Sequence, residues 1–214
     1  MASSRTRSKI VQYGDPVLRQ PARRVGRVTP DVRQLVDQMI EVMRSVHGVG
    51  LAANQLGVPR RIAVIELDGE QTILVDPELV TAKGGELSDE GCLSLPRLYG
   101  MVERPTSVVV KARDLSGKVC RMKAEGMLAR ALVHEIDHLN GELFIDKVDQ
   151  STLYWLVGHN EDGEPVTQPT TLEDALRVFT AVRLARRSPG EGRAARRSAE
   201  GSPGGGPEDP GTHD

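Results

Sequence analysis

Apolar residues recur along the chain with two periods, and each period marks a kind of element. From Asp31 to Val46 the positions Val32, Leu35, Val36, Met39, Met43 and Val46 return every three or four residues, the repeat of one helix face. Pro30 and Asp31 stand where such a helix starts. Arg61 to Leu67 alternates apolar and polar, Asp68-Gly69-Glu70 turns, and Gln71 to Val75 returns as the second half of a hairpin. A further strand is expected around Leu79-Val80-Thr81, ahead of a turn at Gly84-Gly85. Ser107 to Arg113 and Lys118 to Ala124 make a second hairpin over Asp114-Leu115-Ser116-Gly117, with Cys120 expected as a small core residue of its second strand. Immediately afterwards, Met127 to Gly141 reads as a helix. Leu128, Ala131, Leu132 and Leu139 form its stripe, and Gly141 sits where a helix ends.

Toward the ends the pattern thins. Ile10 to Val28 is a loop-rich arm with turns at Gly14-Asp15-Pro16 and Gln20-Pro21. Thr170-x-x-Glu173 is a capping box, from which Leu172, Ala175, Leu176, Phe179 and Val182 carry a helix to about Arg187. Ser188 to Asp214 contains no Leu, Ile, Val, Phe, Tyr or Trp and is dense in Gly, Pro, Arg and Glu. It cannot bury enough to order itself, so a disordered tail is expected at 188–214, and a disordered start at 1–9. The fold class is therefore α+β: antiparallel hairpins packed around the later helix, preceded by the earlier one.

Length and composition narrow the reading. A chain of 214 residues fits one domain with something appended. Its hydrophobic share of 38% supports a core, and with one Trp, three Tyr and two Phe that core is aliphatic. A net charge of -2 argues against a general DNA-binding surface. No apolar run approaches a membrane span, and the basic start is not followed by an apolar stretch, so a cytoplasmic protein without a membrane partner is expected. In that compartment Cys92 and Cys120 are free thiols or ligands rather than a disulfide.

The chemistry lies in the helix at Met127–Gly141, which contains His134-Glu135-Ile136-Asp137-His138. Residues four apart share a helix face, so His134 and His138 can offer two imidazoles to one metal ion, with Glu135 beside them to work on a water. A protease pattern would continue Gly-x-x-His; this chain follows it through Gly141 and then has Phe144. Acidic residues downstream, Glu161, Glu164 and Glu173, would supply the third ligand of a zinc metallopeptidase. A catalytically silent metal-stabilised binding protein is a second alternative, against which the intact Glu135 speaks. Earlier, Gly48-x-Gly50-x-x-Ala53 spells a dinucleotide fingerprint, but it follows a helix where that fingerprint follows a strand. What remains there is a plain turn or a glycine loop that lets backbone approach a ligand.

Three segments stand in order: Gly48-Val49-Gly50-Leu51-Ala52-Ala53-Asn54-Gln55, Glu90-Gly91-Cys92-Leu93-Ser94 and His134-Glu135-Ile136-Asp137-His138. Together they resemble the three signature motifs of peptide deformylases, over roughly residues 10 to 150. Tyr13-Gly14-Asp15-Pro16-Val17-Leu18-Arg19 and Gly141-Glu142-Leu143-Phe144-Ile145-Asp146 are similar to that family too. Val133 stands where the family often has Gln, and Asn54 where it often has Thr or Pro. The resemblance implies Cys92 as the third metal ligand beside His134 and His138, and a Glu90–Arg104 pair ordering the Cys92 loop. It implies hydrolysis of the formyl group from formyl-methionyl nascent polypeptides, with a metal-bound water as nucleophile and Glu135 as general base and then acid. The Gln55 amide and the Leu93 N–H would stabilise the oxyanion. Val49, Gly50, Met127, Ala131 and the edge of His134 are candidates for the methionine pocket. The ion implied is Fe2+, while Zn2+, Ni2+ and Co2+ suit the same ligands. The expected organisation is a metal-dependent catalytic unit at 10–150 and an extension at 151–187 with a helix at about 171–187. Arg177, Arg183, Arg186, Arg187, Arg193, Arg196 and Arg197 in and after that helix are a candidate weak contact with ribosomal RNA.

Overall fold

The computed structural model describes residues 10–187, so the ends expected to be disordered, 1–9 and 188–214, lie outside the described residues. Helices α1 (Pro30–Ser45), α2 (Gly126–Asn140) and α3 (Leu172–Arg187) accompany two antiparallel sheets, which makes the class α+β. The first sheet runs in the order β1 (Gly50–Ala52), β2 (Ile62–Leu67), β3 (Glu70–Lys83), β6 (Ser107–Arg113), β7 (Val119–Glu125). The second runs β4 (Glu86–Cys92), β5 (Leu95–Arg104), β8 (Tyr154–His159), β9 (Pro165–Pro169).

A helix covers each face of the first sheet. Along β2, Ile62 and Val64 share a core with Val36, Met39 and Met43 of α1. Ala63 and Ile65 share another with Leu132, Ile136 and Leu139 of α2. Successive strand side chains point to opposite faces, so a strand buried on both reads as a continuous apolar run. The second sheet has its own core of Leu95, Leu98, Val102, Phe144 and Leu153, closed by Ala175 and Phe179 of α3. Residues past 150 thus belong to the packing. β8 pairs with β5 at Leu98↔Trp155 and Tyr99↔Tyr154, and the Phe179 ring lies between Tyr13 and Trp155, with centroids 6.1 and 5.5 Å away.

Several details differ from the sequence reading. The segments near 71–75 and 79–81 are one strand, β3, which passes Asp76 and Pro77 by one register shift and Val80 by another. Cys120 is exposed rather than in the core, because it lies near the turn end of the edge strand β7, where only Ala124 is buried. The box that starts α3 is shifted by one residue. Thr171 Oγ1 accepts from the Asp174 N–H at 3.1 Å, so Thr171 and Asp174 take the places expected of Thr170 and Glu173. Strands β1, β4, β5, β8 and β9 had no counterpart in the hydrophobic pattern.

Candidate active site

Helix α2 brings His134 and His138 onto one face, with ring centroids 4.9 Å apart. It stops at Gly141, whose φ of 82° is left-handed and where a Cβ would sit 2.8 Å from the Arg19 backbone. Cys92 ends β4, just before the two-residue turn Leu93–Ser94 that leads into β5. The turn is tied to the N-terminal arm, because the Tyr13 N–H donates to the Ser94 carbonyl at 2.9 Å. These placements bring Cys92 Sγ within 3.1 Å of His138 Nε2. One ligand atom from each of Cys92, His134 and His138 lies within 4.8 Å of the other two.

That triangle fits a metal. Thiolate and imidazole ligands sit about 2.0–2.3 Å from such an ion, which puts tetrahedral neighbours about 3.5 Å from each other. The second layer fits as well. His134 Nδ1 donates to Glu90 Oε1 at 2.7 Å, which fixes the ring and turns its Nε2 toward Cys92 and His138. Glu90 in turn accepts two bonds from Arg104, at 2.9 and 2.6 Å, and one from Arg130 at 3.3 Å. Arg104, 2% exposed, also donates to Asp137 on α2. Burial pushes the Glu90 carboxyl up, but the Arg104 and His134 bonds outweigh it and hold the group well below the usual carboxylate range. Burial lowers His138 well below its ordinary value, which keeps it neutral, as a ligand must be. Burial acts on His134 the same way, but its bonds to Cys92 and Glu90 prevail and raise it.

Glu135, 3% exposed, lies beside the two histidines, and its Oε2 has no hydrogen-bond partner. Burial pushes its pKa up to about 7, with the Glu90 charge adding to the rise and His134 opposing it. That range suits a group that takes and returns a proton at neutral pH. Its Oε1 lies 2.3 Å from where a Cβ on Gly50 would stand, so β1 can pass Glu135 this closely only as glycine. Gln55, on the 3-10 turn Ala53–Leu56 after β1, accepts from the Ala52 N–H through Oε1 at 2.8 Å. Its Nε2 is thereby aimed at Cys92 Sγ, 3.7 Å away, and at Ser94 Oγ, 3.2 Å away.

One cleft of about 510 Å³ is lined by Gln55, Cys92, Leu93, His134 and Glu135, and also by Val49, Gly50, Met127 and Ala131. His138, 1% exposed, lies beneath its floor. The cleft has the size of an ordinary small-ligand site. Glu161, Glu164 and Glu173 are exposed and elsewhere: Glu164 closes the β8–β9 turn with Asn160, and Glu173 pairs with Arg177 on α3. Among the described residues the one group of three such side chains close enough to hold a metal ion is Cys92, His134 and His138. Sequence reasoning missed Ser94, Arg130 and Asp137, which hold Gln55, Glu90 and Arg104. Arg130 stands four residues before His134 on the same helix face, a spacing that could have signalled it.

Comparison with known proteins adds the relatives. The family model described as polypeptide deformylase matches residues 7–153. A peptide deformylase of Thermomicrobium roseum is 45% identical over 163 residues, 72% of this chain and 93% of the relative. Among solved structures, a peptide deformylase from Synechococcus elongatus in complex with actinonin is 44% identical with a TM-score of 0.64, covering 65% of this chain and 79% of that one. A peptide deformylase from Legionella pneumophila is 35% identical with a TM-score of 0.68, covering 84% and 97%.

Proposed function

The chain belongs to the polypeptide deformylase family, and on that premise we propose how its own residues carry out the family's reaction. That reaction is the metal-dependent hydrolysis that removes the formyl group from nascent formyl-methionyl polypeptides, and the chain is an enzyme of this kind. In our reading Cys92, His134 and His138 hold one divalent ion, on the helix around which the rest of residues 10–150 is arranged. The observation that carries it is the convergence of these three donors, two of which line the cleft, beside Glu135, whose Oε2 has no partner.

The bound ion supplies Lewis acidity, acidifying water and polarising a carbonyl. We assign the proton work to Glu135, which takes the proton of the attacking water and later delivers it to the departing amine. Its burial supports this role, since a carboxylate titrating near neutrality does both steps well. Charge gathering on the formyl oxygen is met by the Gln55 amide and the Leu93 N–H. Each such donor is worth about 10²–10³ in rate. Val49, Gly50, Met127, Ala131 and the edge of His134 form the methionine pocket. Met127, 56% exposed, is free to fold over a side chain seated there. The peptide lies between β1 and β4, one edge strand from each sheet, both of which border the cleft and offer backbone groups to an extended chain.

The ion is ferrous iron in this reading, supported by the family resemblance and by a ligand set of borderline softness; zinc, nickel and cobalt suit the same set. The enzyme acts in the cytoplasm, where nascent chains emerge; no described helix is long and apolar enough to cross a membrane. A ribosome contact rests with the basic end of α3 and the arginines beyond it. Arg177 is paired with Glu173 and Arg183 donates to the Gly14 carbonyl, so both are committed within the molecule. Truncation after Arg187 removes Arg193, Arg196 and Arg197, leaves α3 in place, and should weaken co-sedimentation with ribosomes. Glu135→Gln tests the chemistry: the variant keeps its metal and loses formate release from formyl-Met-Ala-Ser. Turnover at the wild-type rate would overturn the assignment.

A further inference from the structure

One rung of the second sheet carries an arrangement that the hydrolysis itself does not use. Gly91 of β4 is in register with Tyr99 of β5, which is in register with Tyr154 of β8. Glu90 points at α2 through its bond to His134, so its neighbours Asp89 and Gly91, and the rings in register with Gly91, face the opposite side. Gly91 has no side chain, and Tyr99 uses that space: a Cβ there would lie 2.5 Å from the ring. The Tyr99 ring therefore leans across β4 to the border of the cleft, one residue from Cys92. Tyr154 stacks on it at 5.8 Å and 17°, and donates its hydroxyl to Asp89 Oδ2. Asp89 also lines the cleft, is exposed, and pairs with no cation among the described residues. Arg97, a cation on the same border, is occupied by the carbonyls of Leu156 and Val157.

We propose that Tyr99 and Asp89, the latter held by Tyr154, form a subsite for the residue after methionine and favour a lysine or arginine there. The inference rests on the deformylase reading of the same cleft. In an extended peptide the methionine side chain points toward α2, so the next side chain points to the other face, where the ring and the carboxylate wait. A long aliphatic stem with a cationic head matches both. The stem lies along Tyr99, and the charge sits over a ring face and beside an anion. Tyr154 acts through Asp89 and is a positioning residue. It comes from the strand that the C-terminal extension adds to the sheet, so that segment shapes substrate choice as well as packing.

The test compares kcat/KM for formyl-Met-Xaa-Ser on the metal-loaded full chain, with Xaa as Lys, Arg, norleucine, Phe and Glu. Two weak charge contacts at a half-exposed site amount to roughly a five- to tenfold preference for Lys or Arg over norleucine, with Glu below both. The Lys-to-norleucine ratio should fall toward one in Asp89→Asn, fall partway in Tyr154→Phe, and shrink in high salt. Equal turnover of all five peptides, a preference for Phe without one for Lys, or a Lys preference that survives Asp89→Asn would each overturn the subsite. Failure to hydrolyse any formyl peptide would instead refute the reading on which it rests.

Discussion

Gly50→Ala bears directly on the position of Glu135, at a residue that also borders the methionine pocket. Gly50 is not among the glycines with positive φ, so alanine fits the backbone of β1 without strain. Space is the obstacle. The added Cβ would lie 2.3 Å from Glu135 Oε1, 2.9 Å from Cδ and 3.1 Å from Cγ. Ordinary contacts need more than about 3.3 Å, so the carboxylate must withdraw by about 1 Å. A misplacement of that size costs about 10²-fold, or about 2.7 kcal/mol of transition-state stabilisation. The three atoms nearest the new methyl all belong to Glu135 and none to Cys92, His134 or His138, so the metal should stay. The assay is steady-state formate release from formyl-Met-Ala-Ser, paired with the metal content of the same preparation. We expect kcat to fall about a hundredfold at full metal occupancy. Gly158→Ala is the control, because nothing lies within 4 Å of that Cβ and the position has no positive φ; it should change little. A Gly50→Ala enzyme within threefold of wild type, or one that loses its metal, refutes the reasoning.

Two further outcomes concern the groups that hold the site. Arg104→Leu leaves the Glu90 and Asp137 carboxylates buried without their shared cation, and chemical denaturation should show a loss of about 3–5 kcal/mol. A loss under 1 kcal/mol would mean that Arg130, beside Glu90, and Lys147, whose Nζ lies 3.1 Å from Asp137 Oδ1, suffice for these carboxylates. Phe179→Ala empties the space between Tyr13 and Trp155 and should cost about 3 kcal/mol, with proteolytic cleavage before α3 rising in step. Unchanged stability would show that the extension adds nothing to the third core.

How legible a segment is in residue order depends on the side chains it buries. Strand β2 and helix α1 bury apolar side chains at regular intervals, and both stand out at once. Strand β4 reads Glu-Leu-Ser-Asp-Glu-Gly-Cys and shows no such period, because its inward positions hold Glu90 and Cys92. Function occupies the places where hydrophobic residues would have betrayed the strand. Strand β9 is exposed throughout and begins and ends in proline, so its pairing with β8 leaves no trace in composition. Asp76-Pro77 looks like a break within β3 and is instead an irregularity the strand absorbs. At the site, His134, Glu135 and His138 are legible because one helix spaces the two histidines four apart. Cys92 reaches them from another sheet, across 42 residues of chain to His134 and 46 to His138. Only the joint appearance of three motifs connected it. Arg104 and Asp137 carry no local signature, since their importance lies in the groups they meet after folding.

The central claim is that one sulfur and two imidazoles hold the ion. X-ray absorption on anaerobically purified protein reads that ligand set at the metal itself. We expect about one ion per chain, with one sulfur at about 2.3 Å and two nitrogens at about 2.0–2.1 Å, and loss of the ion in Cys92→Ala. A bound metal surrounded only by nitrogen and oxygen, unaffected by that substitution, would contradict the account.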